Sequence, residues 1–255
     1  MTLSKWQALG NDYLLVERGD LAEPLTPDRV RSLCDYHYGV GSDGLLEIVS
    51  VSGRRADLCI WNPDGSRAEL SGNGIRIAAA WLARASGADH VTLTIAAREV
   101  EAVIRDDGNI ELDVGVVEVG ETEVLDLGDE RVEFTPVSVG NPHAVVRREP
   151  ERGELRRIGP RIERHARFPE RTNVQLVRVD GVNDVTVGVW ERGAGETLSS
   201  GSSAVAVVAA AVANGWCESP VQVHLPGGNL RVELQANGHA RLTGPAVEIC
   251  RIELV

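Results

Sequence analysis

Two stretches decide how this chain is read: LSGNGIRIAAAWL at 70–82 and LSSGSSAVAVVAAAVA at 198–213. In each, a strand ends, a serine and small residues follow, and a run rich in Ala, Val and Ile begins. The runs predict helices over 75–85 and 204–214. Both are apolar nearly all round, the pattern of a helix buried within a domain rather than laid on its surface. The first backbone N–H groups of a helix lack intrahelical partners and carry partial positive charge. In both stretches glycine and serine leave those groups open to an anion. A serine at such a position also serves as an ordinary N-cap.

Working outward, the chain repeats itself at an offset near 130. ALGN (8–11) matches SVGN (138–141), and GSD (41–43) matches RTN (171–173). DLCIW (57–61) matches TVGVW (186–190), with a serine ten residues after each Trp: Ser71 and Ser200. LTIAAREVEAVIRDDGN (93–109) resembles VHLPGGNLRVELQANG (223–238), each a strand, a small-residue turn, a second strand and a polar turn. Several matches in one order at one offset indicate a duplicated unit. The fold expected is α+β: two pseudo-symmetric halves, each a curved, mostly antiparallel sheet around a central helix. The expected division is 1–115, completed by a last strand at 246–255, and 116–245, with the active site in the cleft between them.

Composition narrows the function. The chain has 255 residues, one large domain or two small ones at roughly 100–200 residues each. A formal net charge of −12 argues against nucleic acid, which calls for basic stripes. No apolar run has the length of a membrane span, and the first residues lack a signal peptide's apolar core, so a cytoplasmic protein is expected. Four cysteines, at 34, 59, 217 and 250, show no CxxC spacing and no accompanying histidine cluster, so no metal site is expected. Cys59 and Cys250 read as small core hydrophobes among apolar neighbours. The single lysine, Lys5, stands beside 25 arginines and suggests coding bias rather than function.

Polar residues at strand ends and turns of the repeated blocks form a candidate site: Asn11, Asn62, Asn141, His143, Asn173, Glu191 and Arg192. Asparagine carbonyls and a glutamate accept from an ammonium, and arginine offers a fork to a carboxylate. A zwitterionic amino acid fits that set, although an isolated Asn in a turn ordinarily bonds its own backbone.

These residues carry a resemblance. GND (10–12), GVGSD (39–43), NPDG (62–65), SGNG (71–74), GNPH (140–143), TN (172–173), ERGAGET (191–197), PGG (226–228) and TGP (243–245) look like diaminopimelate epimerase, in that family's order and across nearly the whole chain. The resemblance implies pyridoxal-phosphate-independent inversion of one stereocentre of diaminopimelate between its LL and meso forms, in lysine and cell-wall precursor synthesis, without cofactor or metal. It implies two-base proton transfer, in which a thiolate removes the α-proton and a thiol on the other face delivers one. By matching, the two thiol positions are Ser71 and Ser200, with His143 and Glu191 supporting proton movement. Asn11, Asn62, Asn173, Glu191 and Arg192 would hold the distal amino-acid end. Gly72, Asn73, Gly201 and Ser202 would bind the reacting carboxylate through the helix N-termini, with Asn141 close by.

The chain departs from the pattern where it matters most, since both thiols are serine. A serine hydroxyl is a far weaker acid than a thiol, whose ordinary pKa is about 8.5. Three readings stay open: a deliberate, near-isosteric replacement that leaves an inactive or strongly impaired epimerase; a natural relative that binds an amino acid without epimerising it; and a racemase or other α-proton enzyme of different specificity. Gly44 stands where many members carry Gln, and Pro63 where a small residue is common. Cys250 lies where an aromatic supports the family's dimer, so a homodimer is a weaker expectation here.

Overall fold

The computed structural model describes residues 1–68, 71–96 and 98–254. The strand end at Leu70 and the small-residue turn at Ala97 lie outside the described residues, as does Val255. The chain divides into two units, Met1–Leu112 with Gly244–Val255, and Asp113–Thr243.

Unit 1 runs β1 (Thr2–Ala8), β2 (Asn11–Glu17), α1 (Pro27–Cys34), β3 (Leu45–Ser52), β4 (Arg55–Trp61), β5 (Arg67–Ala68), α2 (Gly72–Ser86), β6 (His90–Ile95) and β7 (Arg98–Ile104), with β8 (Ile110–Val116) leading out of it. Strands β1 and β2 form a hairpin, and β2 lies parallel to β3 with Leu14 beside Leu45. β3 and β4 are antiparallel with Leu45 opposite Trp61, β4 lies parallel to β6, and β6, β7 and β8 form a meander.

Tyr13, Leu14, Leu15 and Val16 are all buried because the sheet is covered on both faces. Tyr13 and Leu15 join a core with Ile75, Ala78 and Leu82 of α2. Leu14 and Val16 face the other way, into a core with Val30 and Leu33 of α1. A strand with two covered faces shows a continuous apolar run rather than alternation.

Unit 2 repeats the plan with β9 (Glu118–Val119), β10 (Glu123–Asp126), β11 (Arg131–Ser138), β12 (Pro142–Arg147), α3 (Arg152–Glu163), β13 (Asn173–Gly181), β14 (Asp184–Glu191), β15 (Gly195–Thr197), α4 (Gly201–Ala213), β16 (Val221–Leu225), β17 (Gly228–Leu234) and β18 (His239–Gly244). β11 and β12 form the hairpin, β12 lies parallel to β13 with Ala144 beside Val174, and Val174 stands opposite Trp190 on β14. β14 then lies parallel to β16, and β16, β17 and β18 form the second meander. The final strand, β19 (Val247–Glu253), belongs to unit 1 and pairs with β1, Thr2 opposite Glu253.

The duplication extends to backbone conformation. Gly10 and Gly140 turn the two hairpins at φ 81 and 84°. Gly41 and Arg171, again 130 apart, both take positive φ, 77 and 62°. Arginine pays a steric cost there, and the repeated turn imposes it.

Both central helices begin earlier than their apolar runs, at Gly72 and Gly201, because the glycines and small residues after the serine already have helical geometry. α4 is buried from Ser203 through Ala211, as its composition predicts. α2 is buried through Ala79 and at Leu82, but exposes Arg84–Ser86 before Gly87 closes it in the left-handed conformation. The sequence reading did not anticipate α1 and α3. In α3, glycines and Pro160 interrupt an arginine-rich segment, and only Leu155, Ile158 and Ile162 form its apolar stripe.

The cysteine assignment needs correction. Cys34 and Cys217 are the buried thiols, whereas Cys59 is half-buried against Arg67 and Cys250 is exposed. Cys250 lies on β19, most of whose residues are exposed. Burial pushes the thiols of Cys34, Cys59 and Cys217 up from their ordinary value, which makes thiolates scarcer.

Ile158 is fully buried where α3 meets β13 and β14. Ile158→Ala is expected to cost about 2–5 kcal/mol, read as a lower urea midpoint with unchanged slope.

Candidate active site

In unit 1 the site is built at the N-terminus of α2. Ser71 is its N-cap, extended at φ −145° and ψ 114°, and its Oγ accepts from the Gly74 amide at 3.1 Å. That bond satisfies one first-turn donor. The Tyr13 hydroxyl, reaching across from β2, lies 3.0 Å from the same Oγ. Asn73 Nδ2 donates to Asn11 Oδ1 at 3.3 Å, and Asn11 Nδ2 donates to Asp43 Oδ2 at 3.2 Å. Asp43 also accepts from the Asp12 amide, and burial raises its pKa against that bond. Lys5 Nζ stands 2.6 Å from Asp12 and donates to the Gly41 carbonyl.

Beneath this group sits Arg76, with no exposed surface. It donates to Asn73 Oδ1 at 2.7 Å, the Gly72 carbonyl at 3.2 Å and the Pro245 carbonyl at 3.3 Å. No carboxylate among the described residues pairs with it, and desolvation pushes its pKa down to about 10. Asn62 stands apart from this chain of bonds. It closes its own turn, donating from Nδ2 to Ser66 Oγ at 2.9 Å.

In unit 2 the same cap recurs. Ser200 precedes α4 at φ −145° and ψ 122°, and its Oγ accepts from the Ser203 amide at 3.4 Å. His143, on β12, is 1 % exposed and engages both ring nitrogens: Nε2 lies 2.9 Å from Asn141 Oδ1, and Nδ1 lies 3.0 Å from Gln175 Nε2. An amide nitrogen only donates, so Nδ1 accepts and Nε2–H donates to Asn141. Gln175 Nε2 also donates to Ser203 Oγ at 2.9 Å, which ties the histidine to the first turn of α4. Gln175 Oε1 is buried without a partner among the described residues. Burial drives the His143 pKa down to about 3, and the Arg192 charge adds to it.

Asn173 links the distal residues. Its Nδ2 donates to the Pro142 carbonyl at 3.0 Å, and its Oδ1 accepts from the Arg192 amide at 3.0 Å. Arg192 itself is exposed, with Nη1 on the Glu170 carbonyl. Glu191 is half-buried and accepts from the Thr197 hydroxyl at 2.8 Å. Burial raises its pKa and the Thr197 bond opposes the rise.

Unit 1 therefore brings Asn11, Ser71, Gly72 and Asn73 together and leaves Asn62 in a separate turn. Unit 2 brings Asn141, His143, Asn173, Glu191 and Arg192 to the ends of β12, β13 and β14, and joins His143 to the helix of Ser200, Gly201 and Ser202. Sequence reasoning missed Tyr13, Arg76 and Gln175. Each had a signal: Tyr13 lies 130 residues before His143, Arg76 is a charge set among the apolar and small residues at the start of a helix, and Gln175 interrupts an apolar strand.

The family model described as diaminopimelate epimerase matches residues 3–121 and 135–249. Diaminopimelate epimerase 2 of Nostoc sp. is 36 % identical over 273 residues, covering 100 % of this chain and 95 % of its own. Diaminopimelate epimerase of Desulfitobacterium hafniense is 39 % identical over 272 residues, covering 98 % and 96 %. The chain belongs to the diaminopimelate epimerase family. Among solved structures, a predicted epimerase from Pseudomonas aeruginosa superposes with a TM-score of 0.75 at 20 % identity, covering 100 % of this chain and 99 % of its own. A hydroxyproline epimerase from Agrobacterium vitis gives 0.71 at 18 %, covering 99 % and 91 %. At such identities the two share the epimerase fold with this chain, and nothing finer is read from them.

The buried histidine sets an acid limit on this family member's stability. Its folded pKa lies below the unfolded value, so the unfolded chain binds a proton that the folded chain refuses. The contribution is intact above about pH 6.5 and is lost as the pH falls from there toward 3. His143→Gln is expected to flatten the fall in unfolding free energy between pH 6.5 and 4, measured by denaturant titration at each pH.

Proposed function

We propose that this chain is a diaminopimelate epimerase that inverts one α-carbon by two-base proton transfer without pyridoxal phosphate, and that serine at both proton-carrier positions leaves it strongly impaired. The observation that carries the reading is the matched pair of helix caps. Ser71 and Ser200 share one backbone geometry and one capping bond, in a chain of this family. Inversion calls for a proton carrier on each face of a planar carbanion, and a duplicated cap supplies two of one kind.

The first-turn amides of Gly72 and Asn73 in one unit, and of Gly201 and Ser202 in the other, are the groups proposed to hold the reacting carboxylate. A carboxylate held there also takes up the negative charge that develops when the α-proton leaves. His143, kept neutral, holds Asn141 on one side and, through Gln175 and Ser203, the α4 terminus on the other. It thereby keeps a second proton-bearing group beside the Ser200 turn. Glu191, whose raised pKa eases protonation, supports proton movement and accepts from the distal ammonium. Arg192, anchored through its amide to Asn173, presents its guanidinium to the distal carboxylate, with Asn11 and Asn62 completing that end. The partner is thus a small amino acid with two zwitterionic ends.

Two measurements check this. Calorimetry is expected to show binding of LL- or meso-diaminopimelate, weakened at least about tenfold by Arg192→Ala. Heat with another amino acid and none with either isomer overturns the substrate. The double variant Ser71→Cys/Ser200→Cys is expected to interconvert the isomers at a rate at least about a hundredfold above that of the present chain. An inert double variant overturns the reaction.

A further inference from the structure

We propose that Tyr13 is the positioning residue that lets Ser71 carry a proton, the phenol and the hydroxyl acting as one relay. The inference rests on the reaction proposed above and adds a residue to it. Tyr13 is 7 % exposed, and its Oη lies 3.0 Å from Ser71 Oγ. The Ser71 oxygen therefore stands between a phenol and the Gly74 amide, at the positive end of α2.

Two further observations point to the pair. The room for it is made by Gly44, for a Cβ at that position would stand 2.5 Å from Tyr13 Cε1 and 2.8 Å from the Trp61 carbonyl oxygen. The backbone that leads into β3, the parallel neighbour of β2, is thus kept bare where the ring lies. The duplication supplies the second. At the repeat offset of 130, Tyr13 corresponds to His143, and the preceding Asn11 corresponds to Asn141. Each unit sets a titratable ring on the second strand of its hairpin, toward the serine-capped helix. In unit 2 the ring reaches α4 through Gln175 and Ser203, and in unit 1 it reaches the cap serine directly.

The relay answers the chemical weakness of serine. An alkoxide is scarce near neutral pH. A phenol, with an ordinary pKa near 10, ionises far more readily. In the forward direction Ser71 Oγ takes the α-proton while its own hydroxyl proton passes to the Tyr13 phenolate. The products are a phenol, a serine hydroxyl and the carbanion. In reverse the phenol reprotonates Ser71 Oγ as that oxygen delivers its proton to the carbanion. Charge and protons balance within the pair and the substrate. Among the described residues, the charged groups on the surrounding elements include Arg76 of α2, bonded to Gly72 and Asn73, Lys5 in the middle of β1, Asp12 at the start of β2, Asp43 just before β3, and Glu47 on β3, held by Arg18 and Trp61.

The test is α-proton exchange of diaminopimelate in D₂O, followed by NMR with the full chain. Ser200→Cys keeps Ser71 and restores one thiol. Tyr13→Phe in that background is expected to lower exchange about a hundredfold. In Ser71→Cys/Ser200→Cys the same substitution is expected to cost less than tenfold, because a thiol ionises without the phenol. Equal losses in the two backgrounds, or no exchange by Ser200→Cys where the double-cysteine variant exchanges, overturn the relay. If the double-cysteine variant itself is inert, the proposed reaction falls, and the pair is judged without substrate. Carbon-13 NMR of the Tyr13 ring is then expected to titrate at higher pH in Ser71→Ala, and an unmoved midpoint overturns the relay.

Discussion

A buried helix must still satisfy the donors of its first turn, and that constraint organises both units. α4 is sealed on nearly all sides, and α2 is sealed through its first two turns. The serine that precedes each helix supplies an acceptor for one of its first-turn amides. The rest of each unit follows from the enclosure. Some of the strands that wrap the helix have a second face, which α1 or α3 covers, and there the run of apolar residues is continuous, as in Tyr13–Val16. The glycines around the caps then leave open the amides that the serine does not use. A device that ends a helix safely is also one that accepts an anion.

The same constraint explains why the polar residues form chains of bonds rather than isolated contacts. Asn11, Asn73 and Arg76 in unit 1, and Asn141, His143, Gln175 and Ser203 in unit 2, lie at strand ends against a helix terminus. A polar side chain there has lost most of its water and must be bonded within the protein. Arg76 shows how far this goes, since carbonyl and amide oxygens hold a guanidinium with no exposed surface. A fixed positive charge behind the α2 terminus reinforces the field that the helix itself produces there.

Much of this was readable in the chain. The paired Ser-Gly turns, Trp61 with Trp190 and the two Gly-Asn hairpins are local signals, and the structure places each where the repeat requires it. What stayed hidden depends on contacts distant in sequence. α3 is hard to see in the sequence because its arginines, glycines and Pro160 mask a stripe of three apolar residues, which only the facing sheet makes sense of. Tyr13 sits in an apolar run and passes for core, and its hydroxyl gains a meaning only when Ser71, 58 residues later, comes within bonding distance. Gln175 is hidden in the same way, as one polar residue in an apolar strand. Cys250 misled in the opposite sense, for its apolar neighbours belong to a strand with exposed faces.

The pairing of β1 with β19 has a consequence for how the chain is made. Thr2 finds its partner in Glu253, whereas unit 2 is contiguous from Asp113 to Thr243. During synthesis the unit that begins first is therefore finished last. Unit 2 can close as soon as its own residues have emerged, while one side of β1 stays unpaired until the final strand arrives. Loop closure over nearly the full length of the chain is slow by nature. Strand edges left open in the interval are the kind that other chains pair with. Unit 1 thus depends on a strand far away in the sequence, and loss of Val247–Glu253 would strip β1 of a neighbour while leaving the residues of unit 2 whole.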